Sequence, residues 1–237
     1  LPAIAEKGDA IGRIEGEALW PERYSLPDLE RTRRTVGSYV WSALYQQRPT
    51  PPEGGMFKRG WFGVSEIPAE CRRAVRYWDK AGTEGGGDYS VGLLLAEHEN
   101  RFYVVDVRRG QWSSEQRRRE QRQAAEEDSG RFPPYTIWEE QDPGSSGKET
   151  AEWTVKQLAG YDVRIDKVTG DKQTRARPVA AQAEVGNLKI VPGRWNKDFL
   201  DEVTAFPFGT HDDQVDGASS AFNKLDRKAL KLTVQKY

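Results

Sequence analysis

Residues 76–82 have the sequence Arg76-Tyr77-Trp78-Asp79-Lys80-Ala81-Gly82, in which a strand pattern ends on a carboxylate. The run 74–78 predicts a short buried strand, and the glycine-rich segment 83–87 predicts a turn soon after it. Such a strand places Asp79 at the carboxyl edge of a sheet, where α/β proteins keep their binding sites. One acid at a strand end is common. The interpretation therefore depends on whether later segments bring more carboxylates to the same edge.

The segments that follow predict an α/β fold with a mixed sheet. Residues 90–98 and 101–109 are two further strands joined by the turn Glu99-Asn100, and with the first strand they would form an antiparallel meander. Strands and helices then alternate, which favours parallel strands flanked by helices. The later predicted elements are helices at 113–128, 148–160, 174–185, 197–204 and 212–225, and strands at 135–138, 163–167 and 188–191.

The first 57 residues differ in character from the rest. They predict one helix over residues 26–47, capped by Ser25, followed by a segment rich in proline and glycine at residues 49–55. We therefore divide the chain into a connector, residues 1–57, and a main domain, residues 58–237. Because the sequence has no initiating methionine, we expect it to be part of a longer protein.

The composition limits the chemistry that the chain can support. It has 36 Lys and Arg against 37 Asp and Glu, so any attraction to nucleic acid must come from a local patch. The single cysteine, Cys71, excludes an intrachain disulfide, and with only two histidines a Cys/His zinc site is disfavoured. A metal would thus be held by oxygen. No apolar run approaches the roughly 20 residues of a membrane span, and no signal peptide is recognisable, so we expect a soluble intracellular protein without a membrane partner.

Two later segments carry acids to positions comparable with Asp79. Glu139 and Glu140 follow the strand at 135–138, and because strand side chains alternate, only one of them can share the face of Asp79. Asp212, Asp213 and Asp216 open the last helix, where Asp216 shares a face with each of the other two. The alternative without a functional role is that these acids only suit the helix dipole.

Carboxylates that are brought together repel one another, and a cation would neutralise them. Mg²⁺ and Mn²⁺ accept a few carboxylates together with water and phosphate oxygens. Two such ions about 3.5–4 Å apart can activate a water molecule and stabilise the departing oxygen of a phosphodiester. The order strand-end Asp, strand-end Glu, helix-start Asp therefore predicts a two-metal site for phosphoryl transfer.

Four motifs follow one another along the chain. They are Trp78-Asp79-Lys80-Ala81 with Asp88-Tyr89-Ser90, Trp138-Glu139-Glu140-Gln141-Asp142-Pro143-Gly144-Ser145-Ser146-Gly147-Lys148, Gly170-Asp171-Lys172-Gln173-Thr174-Arg175-Ala176 and His211-Asp212-Asp213-Gln214-Val215-Asp216. In this order they closely resemble the C-terminal nuclease domain of tailed-bacteriophage terminase large subunits, over residues from about 46 to 223. The resemblance implies a ribonuclease H-like fold.

The resemblance also implies which residues form the site. Asp79, one glutamate, and Asp213 or Asp216 would hold two Mg²⁺ or Mn²⁺ ions. The family's Glu-Gln-acid-Pro-Gly pattern favours Glu140 over Glu139, so the implied catalytic acids are Asp79, Glu140 and Asp213. The further possible metal ligands are Glu139, Asp212 and Asp216.

Three cations near these motifs have two interpretations each. Lys172 and Arg175 would either contact DNA or order their loop, and Lys80 would either contact a phosphate or balance the acids. Asp88 is interpreted as a residue that orients the loop after the first strand. His211 is interpreted as a local hydrogen-bonding residue, because metal-bound water needs no separate base.

The function implied by the resemblance is a metal-dependent endonuclease domain of a viral DNA-packaging motor. It would cut double-stranded concatemeric DNA with little sequence preference, in the host cytoplasm and not in the mature virion. The implied partners are DNA, an N-terminal ATPase domain of the same protein, the small terminase subunit and the portal protein. We expect no ATP hydrolysis by these residues, since Gly144-Ser145-Ser146-Gly147-Lys148-Glu149 lacks the spacing and the hydroxyl of a phosphate loop.

Two other functions remain open. One is another ribonuclease H-like nuclease, such as a resolvase or a ribonuclease that acts on RNA–DNA hybrids. The other is a docking domain without catalysis, which would bind the portal or the small terminase.

The predicted helix at 113–128 carries a cluster of arginines, namely Arg117, Arg118, Arg119 and Arg122. We favour a solvated face on which glutamates at helical spacing pair with these arginines. The alternative is a surface that follows the phosphates of a nucleic acid.

Overall fold

The structure is a computed structural model that describes residues 1–47, 55–71, 73–80, 87–132 and 134–225. Within these residues one sheet has seven strands, which are β1 (Gly63–Val64), β2 (Arg73–Asp79), β3 (Ser90–His98), β4 (Arg101–Gly110), β5 (Tyr135–Glu140), β6 (Val163–Asp166) and β7 (Leu188–Ile190). The α-helices of the same ranges are α1 (Leu26–Val40), α2 (Ser114–Ser129), α3 (Ser145–Gln157), α4 (Lys172–Glu184), α5 (Asn196–Ala205) and α6 (Asp213–Leu225).

The strand order is β1-β7-β4-β3-β2-β5-β6. Strands β2, β3 and β4 form the predicted antiparallel meander, and β5, β6 and β7 join parallel to their neighbours. The predicted mixed α/β sheet is thus confirmed. Because β5 lies directly beside β2 in parallel, the carboxyl ends of these two strands meet at one edge.

The two faces of β2 are covered by different helices. Tyr77 packs into the larger core with Val215 and Phe222 of α6, whereas Trp78 packs with Ala124 of α2 and Leu158. Because both faces are covered, β2 is buried from Ala74 to Trp78, including Arg76 in its middle.

Arg76 lies on the α2 side of the sheet. Its guanidinium bonds to Asp128 of α2 at 2.8 and 3.1 Å, and to Asp106 of β4 at 2.9 Å. These two carboxylates compensate the buried charge and attach α2 to the sheet.

Helix α6 is buried along almost its whole length, including its acidic first turn. It packs against β3, β2 and α4. The approach to β3 is close at Gly217, where a Cβ atom would lie 3.2 Å from Val91 Cγ1. The glycine that follows Asp216 therefore allows this helix to bring its acids against the sheet.

The N-terminal part differs from the single helix that was predicted over residues 26–47. Ser25 caps α1 as expected, but Gly37 has a φ of 78° and interrupts the helix, and residues 41–45 form one turn of π-helix. Most of the proline- and glycine-rich segment lies outside the described residues. Met56 and Phe57, at the predicted domain boundary, pack into the larger core.

Two other helix starts follow from local chemistry. Helix α2 begins with a capping box formed by Ser113 and Gln116, with hydrogen bonds of 3.0 and 3.2 Å. Helix α3 begins at Ser145, three residues before the predicted start, because Gly144 has a φ of 92° and ends the loop there. None of the helices in the described ranges is long and apolar enough to cross a bilayer.

Candidate active site at the carboxyl edge of the sheet

Asp79 and Glu140 are the last residues of the neighbouring strands β2 and β5. The register pairs Trp78 with Glu139, so that Asp79 and Glu140 follow side by side. Both extend from the face of the sheet that α6 covers, as Tyr77 does two residues earlier. Strand geometry alone thus places two carboxylates together at one edge.

Helix α6 adds the third group of acids. Asp213 is buried and accepts a hydrogen bond of 3.1 Å from the backbone N–H of Tyr89. Asp216 is buried one turn later. Asp212 precedes the helix and is more exposed than Asp213.

The electrostatics show that these acids share one environment. Burial raises the pKa of Asp79 well above its ordinary value, and the charges of Glu140, Asp216 and Asp213 raise it further. Burial also raises the pKa of Glu140, where Asp216 adds to the shift and Arg175 opposes it. Burial raises the pKa of Asp213, although the hydrogen bond from the backbone N–H of Tyr89 lowers it. The charges of Glu140, Asp213 and Asp216 thus act on Asp79.

Glu139 lies on the opposite face of the sheet and is fully buried. Its Oε1 atom is 2.9 Å from Lys80 Nζ and accepts a hydrogen bond of 2.9 Å from Thr154, and Oε2 accepts one of 2.7 Å from Gln121. A buried carboxylate needs such partners, and Lys80 supplies the opposite charge. Glu139 was predicted as a possible metal ligand, and Lys80 was predicted either to contact a phosphate or to balance the acids. In the structure the two form a buried ion pair between the sheet, α2 and α3, so Lys80 balances an acid.

Lys172 and Arg175 extend from the first turn of α4 to the acids. Lys172 Nζ lies 2.6 Å from Asp212 and 2.8 Å from Asp216, and Arg175 forms an ion pair with Asp216. Burial lowers the pKa of Lys172, but the hydrogen bonds and charges of Asp212 and Asp216 raise it by more. Both residues, predicted as possible DNA contacts, here neutralise the acidic cluster.

A second grouping of ligand atoms surrounds Asp213. Asp88, His211 and Asp213 each offer one ligand atom, and these atoms lie within 4.8 Å of one another. His211 Nδ1 has no hydrogen-bond partner within the described ranges. Asp88 and His211 were predicted to have only local roles. The adjacency of His211 to the acids of the last motif was a usable signal for a place among the possible metal ligands. A divalent cation could be bound by this trio.

Asp166 is an acid that the sequence analysis missed. It ends β6 and is the register partner of Glu140. The Tyr77 hydroxyl donates to Asp166 Oδ2 at 2.9 Å and lies 3.5 Å from Glu140 Oε2, and Lys224 forms an ion pair with Asp166. The rule applied to Asp79, an acid at the end of a predicted strand, would also have found Asp166.

The predicted glycine-rich turn after β2 lies, apart from Gly87, outside the described residues.

The donor set suits hard divalent cations. It consists of carboxylates with one imidazole, and several of the carboxylates have pKa values raised by burial and by one another's charge. Such a cluster is relieved by a cation, and Mg²⁺ and Mn²⁺ prefer oxygen ligands.

Comparisons with known proteins agree with this architecture. The family model described as "Terminase RNaseH-like domain" matches residues 76–225, more than half of the chain. No curated protein sequence matches the chain.

Solved structures share the fold at low sequence identity. The large terminase of the thermophilic bacteriophage D6E, in complex with ADP, has 14% identity and a TM-score of 0.61; the match covers 84% of this chain and 52% of that one. The large terminase nuclease domain of Thermus phage P74-26 has 15% identity and a TM-score of 0.52, over 72% and 95% of the two chains. The large terminase nuclease of thermophilic phage G20c, with bound magnesium, has 14% identity and a TM-score of 0.52, over 73% and 99%. The present chain thus spans about half the length of the D6E protein.

Proposed function

The chain belongs to the family of terminase ribonuclease H-like domains, and from this membership we propose that it is a metal-dependent DNA endonuclease that hydrolyses phosphodiester bonds. The observation that carries the proposal is that Asp79 ends β2 beside Glu140 of β5, with the charges of Asp213 and Asp216 from α6 acting on it. The raised pKa of Asp79 supports it, since a repelling cluster of acids is the state that a bound cation relieves.

We assign the metal-holding role to Asp79, Glu140 and Asp213, with two Mg²⁺ or Mn²⁺ ions as the cofactors. Asp88 and His211 are further candidates because they surround Asp213. Asp212 and Asp216 remain candidates, although both are paired with Lys172 in this structure. When bound, such ions supply an activated water and stabilisation of the leaving oxygen.

The other groups of the site hold the acids in place. The backbone N–H of Tyr89 orients Asp213, and the Tyr77 hydroxyl lies between Asp166 and Glu140. Lys172 and Arg175 limit the repulsion within the cluster while no cation is bound. Their positive charge lies where the phosphate of a substrate would approach.

The wider biological role is a proposal that rests on the family. The substrate is double-stranded concatemeric DNA cut with little sequence preference, as part of a viral packaging motor in the host cytoplasm. Residues 1–57 connect to an ATPase domain of the same protein, and residues 58–237 are the nuclease. The small terminase and the portal protein are the other proposed partners. The length of the D6E large terminase, about twice that of the matched part, supports this assignment.

The test is a cleavage assay on supercoiled plasmid with Mg²⁺, with Mn²⁺ and with a chelator. We expect nicking and linearisation that require the metal and are lost in Asp79→Asn. Asp162→Asn is the matched control, because it removes a carboxylate from the exposed start of the neighbouring β6 region, where Asp162 pairs with Arg164. Metal-independent cleavage, or none by the folded protein, would favour the docking role. A preference for hybrids or four-way junctions would favour another ribonuclease H-like activity.

A further inference from the structure

A groove of about 410 Å³ lies between α2 and α3, on the face of the sheet opposite to α6. Three arginines and two glutamates of α2 line it together with Trp153 from α3. The arginines are Arg118, Arg119 and Arg122, and the glutamates are Glu115 and Glu126. The site proposed above uses none of these residues.

The three groove arginines are exposed and form no ion pair with any described residue. At helical spacing Glu115 could pair with Arg118 or Arg119, and Glu126 with Arg122, but no such ion pair forms among the described residues. Glu120 and Glu127 lie 3.2 and 2.6 Å from the guanidinium of Arg108 on β4. The face is solvated as expected, and its three arginines exceed the two groove glutamates by one positive charge, which is available to an external anion.

The groove holds one of its arginines in a fixed orientation. The guanidinium of Arg118 lies 3.9 Å from the centre of the Trp153 ring, and the Gln157 side chain donates a 2.9 Å hydrogen bond to the Arg118 carbonyl. A guanidinium stacked on an aromatic ring keeps its N–H groups free at the edge, where they can bind phosphate oxygens. Trp153 is 43% exposed, which is unusual for an indole that only stabilises a core.

The position of the groove relates it to the acidic cluster. Helix α2 follows β4 and helix α3 follows β5, so both begin at the carboxyl edge that carries Asp79 and Glu140. Arg118 lies about 7 Å along α2 from its cap, from a rise of 1.5 Å per residue. From Arg118 to Arg122 the helix rises about 6 Å. The charges of one DNA strand are about 3.4 Å apart along the duplex axis, so this rise corresponds to about two phosphate steps.

We propose that the groove between α2 and α3 binds the phosphodiester backbone of duplex DNA beside the bond that is cut. It is a second contact, independent of sequence, which holds the flanking duplex while the acidic edge acts on the scissile phosphate. This inference rests on the proposed function, because it takes DNA as the substrate. A phosphate backbone suits three unpaired arginines next to the catalytic edge, and an acidic protein segment is the rival ligand.

The test measures the binding of a fluorescein-labelled DNA duplex by anisotropy, in EDTA and over a range of salt concentrations. The variant is Arg118→Ala/Arg119→Ala/Arg122→Ala, which should fold because the residues are exposed and alanine favours helix. Each lost phosphate contact reduces the slope of log K against log salt by about 0.9, so we expect a slope shallower by about 2–3 and weaker binding. Substitution of the same arginines by lysine should restore most of the slope.

The matched control is Arg31→Ala/Arg33→Ala/Arg34→Ala on α1, which removes the same charge from an exposed helix distant from this groove. It should leave the slope near that of the wild type. An unchanged slope in the groove variant, an equal loss in both variants, or no binding of DNA by the wild type would overturn the proposal. Because EDTA prevents metal-dependent cleavage, the binding result is independent of the plasmid assay, and either proposal can fail alone.

Discussion

Two neighbouring glutamates at the end of β5 have opposite surroundings. Glu139 is fully buried against Lys80, Gln121 and Thr154, whereas Glu140 faces Asp79 and Asp216. The alternation of a strand therefore separates a structural carboxylate from a proposed catalytic one across a single peptide bond. This separation makes the two residues a matched pair for mutation.

We predict that Glu139→Gln lowers the free energy of unfolding by about 3–5 kcal/mol, because it leaves the buried charge of Lys80 with only the more distant carboxylate of Asp142, at 3.8 Å. Glu140→Gln should abolish plasmid cleavage with little loss of stability, since it relieves repulsion within the acidic cluster. Urea unfolding and the cleavage assay measure the two effects. The reverse pattern, with Glu140→Gln unstable and Glu139→Gln stable but inactive, would show that the roles are exchanged.

A second prediction at this scale concerns Asp79 and pH. The pKa of Asp79 is raised above its ordinary value of 3.8, so the folded protein keeps this proton where the unfolded chain has lost it. The stability that Asp79 contributes is therefore complete below about pH 3.8 and is lost as the pH rises through the folded-state pKa. In metal-free buffer, Asp79→Asn should melt above the wild type near pH 7.

The measurement is the melting temperature of both proteins in EDTA from acid to neutral pH. The advantage of Asp79→Asn should vanish at the acidic end. Asp162→Asn is the control, because the hydrogen bond and charge of Arg164 lower the pKa of Asp162. Removal of the Asp162 carboxylate should therefore not stabilise the protein at neutral pH. If the wild type were more stable than Asp79→Asn near pH 7, the Asp79 carboxylate would not be destabilised by burial and by its acidic neighbours.

At the scale of elements, α4 joins the N-terminal helix to the acidic cluster. Its first turn carries Lys172 and Arg175, and further along the helix Glu184 accepts a 2.6 Å hydrogen bond from the backbone N–H of Ser38. Gly37 makes this packing possible. A Cβ atom there would lie 3.3 Å from Ala181 Cβ, and the φ of 78° is one that other residues adopt at a cost.

We therefore predict that Gly37→Ala destabilises the protein by about 1–3 kcal/mol, through strain in the backbone and crowding against α4. Gly130→Ala is the control, since Gly130 has an ordinary φ of −72° and open space around it, and its effect should stay within about 0.5 kcal/mol. Denaturant unfolding measures both. Equal effects of the two substitutions would mean that the contact between α1 and α4 adds nothing to stability.

Most of the elements followed from the sequence, because their patterns are local. The strands β2, β3 and β5 and the capped start of α2 lie within a few residues of their predicted places. The break at Gly37 and the two-residue strand β1 were not predicted, since a helical pattern continues through the glycine and β1 is defined by its pairing with β7.

The site was predictable to the extent that it depends on strand ends. The rule that acids collect at the carboxyl ends of strands pointed to Asp79 and to the pair at 139–140. The acids that open the last predicted helix pointed to the start of α6. Which glutamate faces the cluster depends on the register between β5 and β2, and the direction of Lys80 depends on the buried charge of Glu139. The grouping of Asp88 with His211 joins two loops that are far apart in sequence. These details depend on three-dimensional neighbours, and the only local signals for them were the residues that follow Glu140 and the adjacency of His211 to the acids of the last motif.

At the scale of the whole molecule, acids and bases are mixed on both sides of the sheet. Helix α2 carries four arginines and five acids, and the acids at the start of α6 face Lys172 and Arg175 of α4. The net charge of −1 reflects this mixing. A phosphodiester substrate meets repulsion from the acids unless cations are bound, so metal binding and DNA binding should support each other.

The final prediction concerns the response of the folded protein to metal. A cation that binds only the folded state stabilises it by RT ln(1 + [L]/Kd), about 2.7 kcal/mol at a hundredfold excess over Kd. For a chain of this size that corresponds to a rise of about 5–10 °C in melting temperature. We expect Mn²⁺ and Mg²⁺ to produce such a rise, reversible by EDTA, in the wild type and in Asp162→Asn. Asp79→Asn should show a much smaller rise, because one of the proposed ligands has lost its charge. Equal rises in all three proteins would place the bound ion away from Asp79, and the acids of β2, β5 and α6 would then have no common ligand.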